Sequence, residues 1–501
     1  MKKRRFNVLG YVEKVGNALP HPAALFGIFA LSTLILSFIG YYFQWEGINP
    51  GNGETVRVVN LLSRDGLHKI LLEMVDSYTG FAPLGIVMVA MLGIGIAESS
   101  GLIRSSINLL LLKAPKYLIT FIIVLTGILS NMASDLGYIL IIPLAGVIFH
   151  SLGRHPIAGM AAAFAGVSGG FSANLFIGTI DPLLAGLSTE AARILDPDYY
   201  VMPTANYYFM AVSTFLIAGV GTWITNAVVE PRLGKYSGDV KQEEIKTLSK
   251  KERKGLKWAG LVMLFFLGLI IAGLIPENGI LRADDNSILH SPVLKGFIAV
   301  LFLVAGTCGV VYGYISGTFT NHKDVVNGMN TSYKSLISFL VLVFFASQFV
   351  AWFKWSNLGI LTAVKGAAFL QTTDMGLIPL VILFIIISGI INMFMGSASA
   401  KWAIMGPVFI PMFMLLGYSP ELSQAVFRIG DSVTNLISPM MSFFALIIVY
   451  FEKYDSKSGI GSIIATMLPY SIAFFVAWTL LIIVWIWLGL PLGPEAGLYY
   501  N

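Results

Sequence analysis

Four asparagines interrupt long apolar stretches of this chain, at Asn131, Asn174, Asn392 and Asn435. Asn131 and Asn174 are 43 residues apart, as are Asn392 and Asn435, and the second pair lies 261 residues beyond the first. The surrounding text repeats as well: Gly169-Gly170-Phe171-Ser172-Ala173-Asn174-Leu175 stands opposite Gly430-Asp431-Ser432-Val433-Thr434-Asn435-Leu436. A carboxamide at membrane depth is costly unless it is fully hydrogen-bonded or ligates something. Sodium prefers hard, neutral oxygens, and side-chain carbonyls beside unwound backbone carbonyls supply them. Capping of a helix end accounts for any single asparagine of this kind. The repeated spacing favours sodium ligation, one site per repeat.

Charged residues at the same breaks form a second set. Asp135 closes the polar run Ser130-Asn131-Met132-Ala133-Ser134-Asp135, Asp181 follows the break around Asn174, and Asp431 sits at the matching break of the second pair. Each demands a partner, a proton or a bound cation inside a membrane. Sodium ligand, proton carrier, salt bridge and helix cap are all open to them, and Asp181-Pro182 reads as a helix start. Lys401 and Arg428 are the cations of the region. Arg428 and Asp431, three apart, share a helix face. Either they neutralise each other, or Arg428 clamps a substrate carboxylate bidentately while Asp431 orients it or binds the coupling ion. Trp402 offers a face for stacking an aromatic group, or packing alone. Ser397 and Ser399, in Gly396-Ser397-Ala398-Ser399-Ala400, offer hydroxyls and close backbone approach, or simply tight helix packing.

Membrane-spanning helices have to position these residues. Of 501 residues, 56% are hydrophobic and 12% charged, and mean hydropathy is +0.78; soluble domains average roughly 25% charged. An ordinary soluble enzyme is excluded. With about 20 apolar residues per crossing, candidate spans are 22–43, 83–104, 156–188, 206–229, 258–275, 294–315, 335–355, 420–449 and 463–488. Segments 116–150 and 377–416 are too long for one crossing and carry a polar break in the middle, from Ser130 to Asp135 and from Asn392 to Lys401. Each fits a re-entrant hairpin whose tip stops inside the bilayer, where exposed backbone survives only against protein or a polar cavity. The expected fold is an all-α polytopic membrane protein of nine transmembrane helices plus two re-entrant hairpins, in two inverted repeats. Repeat one covers 83–229 (hairpin 116–150, broken helix 156–188) and repeat two 344–490 (hairpin 377–416, broken helix 420–449). Residues 1–82 form an N-terminal scaffold helix and external loop, 230–343 a cytoplasmic loop and scaffold helices, and 491–501 an external tail.

Basic residues orient this topology. Lys2 to Arg5 place the N-terminus in the cytoplasm, and the loop from Glu230 to Lys257, the richest in Lys and Arg, falls inside only if 116–150 re-enters. Lys113, Lys453 and Lys457 fall inside too, and no Lys or Arg follows Lys457, which puts the C-terminus outside. The same gathering of charge explains the net +5 without nucleic acid. The first apolar stretch is too long for a signal-peptide core and reads as a retained span. Cys308 is a small core residue, and His21, His150 and His155 lie near membrane edges. With no HExxH, Walker A or CxxC pattern, the chain is expected to be no enzyme, to carry no organic cofactor and to draw on an ion gradient.

At the hairpins and broken helices the chain resembles the p-aminobenzoyl-glutamate transporter (AbgT) family of the ion-transporter superfamily. The resemblance rests on His21-Pro22, Gly80-Phe81-Ala82-Pro83-Leu84-Gly85, Gly153-Arg154-His155-Pro156, Ser188-Thr189-Glu190-Ala191-Ala192 and Glu230-Pro231-Arg232-Leu233-Gly234. It continues through Trp355-Ser356-Asn357, the run from Gly396 to Trp402, and Phe427-Arg428-Ile429-Gly430-Asp431-Ser432. It implies a homodimer in a bacterial inner membrane, a scaffold with a moving elevator core, and p-aminobenzoyl-glutamate as cargo, with sulfonamide export linked to some members. Its functional positions fall on Asp181, Ser399, Trp402, Pro420, Arg428 and Asp431, and its sodium-binding asparagines on Asn392 and Asn435. Arg428 then suits a carboxylate and Trp402 a benzoyl ring. A plain dicarboxylate carrier of the same architecture, an ion channel and an intramembrane enzyme are the competing readings.

Overall fold

Helices make up most of the computed structural model, which describes residues 20–500 except 21, 49–54, 113–114, 133–136, 239, 241–246, 284–285, 287, 289–290, 374, 442 and 457. Asp135, Lys2 to Arg5, His21, Lys113, Lys241, Lys246 and Lys457 lie outside the described residues. Among the described residues, eight helices are long and apolar enough to cross a membrane. Seven contain the continuous spans expected from sequence; the eighth, Ala398–Leu415, is an arm of the second hairpin. The two remaining expected crossings are split. Residues 156–188 become Pro156–Phe164, a π-helical turn Ala165–Gly169 and, after a stretch without regular structure, Ile180–Ala192. Residues 420–449 become Pro420–Asn435 and Phe444–Glu452.

The first hairpin turns back on itself. Its arms are Ile119–Leu129, prolonged by a tight turn Ser130–Met132, and Ile142–Ser151, preceded by a π-helical turn Gly137–Ile141. Arg154, just past the second arm, donates to Thr120 in the first at 2.8 Å, to Asn226 at 2.8 Å and to Glu230. Both hairpin ends therefore lie where helix Tyr207–Ile224 finishes. The second hairpin, Leu377–Asn392 and Ala398–Leu415, closes through Phe384 against Phe409 and Phe413, with ring centroids 4.6 and 5.2 Å apart. Its open end continues into Tyr418 and Ser419, which pair with Tyr499 and Leu498 of the C-terminal segment. That segment also holds Phe209, at the start of Tyr207–Ile224, through the Leu492 carbonyl. The hairpins thus enter from opposite ends of that helix.

Burial follows the same plan. In helix Lys250–Leu274 the large side chains Leu264, Phe265, Leu267 and Ile271 are exposed, as a lipid-facing surface requires. Helix Pro420–Asn435 is among the most polar and is the reverse case: every side chain but Thr434 is buried. Gly430 lets it approach the first arm of the second hairpin, because a Cβ there would lie 2.7 Å from Ser388 Cβ. Small residues give this kind of close helix contact in membranes.

Several boundaries differ from expectation. The span placed at 258–275 begins at Lys250, whose helix is opened by the Ser249–Glu252 capping box. The loop between the first two spans holds a two-stranded sheet, Glu46–Ile48 with Thr55–Arg57, and helix Arg64–Thr79. Besides the short Leu102–Leu112, two helices, His322–Ser335 and Leu358–Thr372, were not foreseen. The first is polar and the second only 15 residues long, so neither carries the hydropathy of a full crossing. Cys308 is buried, as expected, with its thiol on the Ala259 carbonyl.

Candidate functional site

Polar side chains inside a membrane need partners, and in this protein they find them across elements rather than along one helix. Arg428 and Asp431 do not neutralise each other. Arg428 Nη2 binds Asp181 Oδ1 at 2.5 Å, joining the second broken helix to the first. Asp181 Oδ2 accepts from the Gly178 backbone at 2.7 Å, so this carboxylate also fastens the turn that leads into its helix. Asp431 instead pairs with Lys401 from the second hairpin. Both pairs are almost completely buried, with side-chain exposures of 4% or less. The three-residue spacing suggested a local pair; packing of other helices on either side of Pro420–Asn435 supplied nearer partners.

Lys401 also donates to Asn392 Oδ1. An ammonium carries only donors, so it turns the amide oxygen of Asn392 toward itself and the amide nitrogen away. That nitrogen donates to the Asp431 carbonyl (2.7 Å), Thr434 Oγ1 (2.8 Å) and Asn435 Oδ1 (2.8 Å). The expected sodium ligands Asn392 and Asn435 are therefore bonded to each other. A free sodium beside this ammonium, at about 4 Å, would meet a repulsion of about 4 kcal/mol at an effective dielectric of 20. Sodium does not fit the second tip while Lys401 is there.

The first tip is different. Asn131 is only 5% exposed, and neither its amide oxygen nor its amide nitrogen has a partner. A buried amide left in this state costs about 1–3 kcal/mol. Its free oxygen at the end of a helical arm suits a hard cation. Asn174, its expected companion, is spent locally: Oδ1 accepts from the backbone of Leu175 at 2.9 Å and of Phe176 at 3.4 Å. The broken helices meet nearby, where the Ser172 backbone donates to Ser432 Oγ at 3.2 Å.

A cavity of about 480 Å³ lies between these parts. Asn131 and Tyr138 of the first hairpin line it, with Phe171, Thr179 and Ile180 of the first broken helix. Gly396 to Ser399 of the second hairpin line it too, with Asp431, Asn435 and Phe443 of the second broken helix. Val87, Met91, Leu336 and Phe339 close the remaining side. Gly396 is required at the tip, since a Cβ there would run into the Met440 backbone. Volumes of this order accept a small organic molecule.

Of the residues expected to bind substrate or ion, Ser399, Asp431, Asn131 and Asn435 reach this cavity. Trp402 does not. It is fully buried, stacks on Phe427 at 4.5 Å and donates from Nε1 to Ser188 at 2.9 Å. It packs the interface of hairpin and broken helix, and Ser188 hands the chain of hydrogen bonds on to Gln424 and Asn206. Lys401, Arg428 and Asp181 stand outside the lining, engaged with one another's neighbours as described. Pro420 sits at the first turn of its helix, after the capping Ser419, far along the chain from Asp431 at the other end. Sequence reasoning missed the aromatic wall. Tyr138 and Phe443 stack with centroids 4.6 Å apart and planes 11° from parallel. The only signal was their position beside the two polar breaks.

Comparison with known proteins agrees with this architecture. Residues 7–500 match the family model described as the AbgT putative transporter family. The p-aminobenzoyl-glutamate transport protein of Escherichia coli (strain K12) is 37% identical over 491 residues, covering 98% of this chain and 96% of that protein. The crystal structure of the Alcanivorax borkumensis YdaH transporter superposes with a TM-score of 0.91 at 46% identity, over 95% of this chain and 100% of that one. Neisseria gonorrhoeae MtrF, described as illuminating a class of antimetabolite efflux pumps, superposes with a TM-score of 0.93 at 50% identity, over 98% and 100%.

Proposed function

Because the chain belongs to the AbgT transporter family, we propose that it is a gradient-driven carrier of p-aminobenzoyl-glutamate or a related aromatic dicarboxylate, held between its two hairpin tips. The observation that carries this reading is the set of four helix ends around one cavity. Two are N-termini, at Thr179–Ile180 and at Ser397–Ala398–Ser399. Helix N-termini carry partial positive charge and free N–H groups, and attract carboxylates. The other two are C-terminal ends, at Asn131 and Asn435, whose partial negative charge favours a cation. The E. coli relative's named cargo has two carboxylates and one aromatic ring. Two N-termini suit the carboxylates, and the wall of Tyr138 and Phe443 suits the ring.

Sodium is the coupling ion of this proposal, held through Asn131, and its charge would offset a carboxylate arriving alongside. The entry of the hairpins from opposite ends supports inverted repeats, and a dimer with an elevator core, implied by the family resemblance, completes the picture. Orientation is proposed as read from the basic loops, with the N-terminus inside and the C-terminus outside. MtrF's description extends the candidate cargo to antimetabolites, the family resemblance adds sulfonamides, and the balance of gradients and concentrations sets the direction.

Counterflow in proteoliposomes tests the reading. Labelled p-aminobenzoyl-glutamate should exchange saturably and respond to an imposed sodium gradient. Exchange of succinate in its place would move the assignment to a plain dicarboxylate carrier. Flux that never saturates would replace the carrier with a channel.

A further inference from the structure

Resting on the carrier reading of the same cavity, we propose that Lys401 is the resident cation of the second half: its ammonium fills the place where an alkali ion would bind among Asn392, Asp431 and Asn435. The lysine stands in the first turn of helix Ala398–Leu415, where positive charge works against the helix dipole. Its side chain is 1% exposed. Neither water nor the helix rewards it there, so its partners must. They are the partners a hard cation takes: the carbonyl oxygen of Asn392 and a carboxylate oxygen of Asp431.

The rest of the tip is arranged around an occupied site. Because Asn392 gives its oxygen to Lys401, its N–H groups cover the Asp431 carbonyl, Thr434 Oγ1 and Asn435 Oδ1. Those are the oxygens a free ion would have used. Asp431 still reaches the cavity while Lys401 lies behind it. At the first tip no described lysine or arginine lines the cavity, and the Asn131 amide is unpartnered. Among the described residues, the two tips therefore offer one site for an exchangeable cation, at Asn131. The second half carries its positive charge on a covalent tether through the whole transport cycle.

The test counts radiolabelled sodium bound per chain by the full-length protein in lipid nanodiscs, without any organic substrate. The unmodified chain is expected to bind at most one ion, and Asn131→Ala none. Lys401→Met should gain one further ion, a gain absent from the Lys401→Met, Asp431→Asn double variant. Lys401→Arg, whose guanidinium still fills the site, should match the unmodified count. Two ions per unmodified chain would overturn the proposal, whether or not Lys401→Met folds. So would a monodisperse Lys401→Met protein that binds no additional sodium. A wrong cargo would surface only in counterflow, so the two readings fail separately.

Discussion

At the second hairpin tip Asn392 accepts from Lys401 and donates to Asp431, Thr434 and Asn435; at the first, Asn131 is comparably buried and its amide has no partner. The residue type, the surrounding break and the spacing are the same in both halves. Only one half has a lysine nine residues beyond its hairpin asparagine, since the counterpart of Lys401 in the first half is Leu140. The two tips are thus unlike: at one the amide oxygen is taken by the protein's own lysine, and at the other the amide has no partner. The spacing of the polar breaks repeats along the chain, while an unmatched lysine changes the bonding of one of them.

Five substitutions probe this asymmetry. Arg428→Ala has the largest expected effect, because it strands the buried Asp181 carboxylate and cuts the ion pair that joins the halves. A loss of about 3–5 kcal/mol is expected, with uptake abolished. The Asp181→Ala, Arg428→Ala double variant should melt higher than Arg428→Ala alone, and a lower melting temperature would refute the pairing. Trp402→Ala should cost about 3–5 kcal/mol through the cavity it leaves against Phe427. It should lower succinate and aromatic uptake alike, whereas a selective loss of aromatic uptake would restore the stacking role that its burial denies.

Asn392→Ala should cost about 2–3 kcal/mol, since Lys401 and Asn435 both lose a buried partner. Asn131→Ala should raise thermal stability by about 1–3 kcal/mol, since it removes a buried amide that has no partner. It should nevertheless abolish stimulation by sodium. Equal melting shifts for the two asparagine variants would erase the contrast between the tips. Tyr138→Ala gives the mildest transport effect, about a tenfold rise in KM for aromatic cargo with succinate unaffected, in line with about 1.4 kcal/mol of ring contact.

Much of this was readable in advance. Hydropathy separates seven continuous spans from two overlong segments, and the overlong segments are the hairpins. Each of the four asparagines falls at or beside a break. The partners of the charged residues were not readable. Arg428 and Asp431 share a helix face by spacing, yet that face meets different elements above and below, and a charge buried in a low dielectric takes whichever opposite charge is brought closest. Trp402 shows the same limit: its indole sits beside a cavity-lining tip but points into the hairpin interface.

Composition and the repeat of polar interruptions, by themselves, determined a helical membrane protein with paired re-entrant segments, since hydrocarbon forbids unpaired backbone and tolerates breaks only around a polar centre. Tertiary structure alone decided which amide is spent and which is free, which carboxylate meets which cation, and which aromatic rings line the cavity. Some of those outcomes depend on contacts across more than two hundred residues of chain, as between Asp181 and Arg428, and even the nine-residue step from Asn392 to Lys401 joins the two arms of a hairpin. Spacing alone does not name such partners, because how the helices pack decides which side chains are brought together.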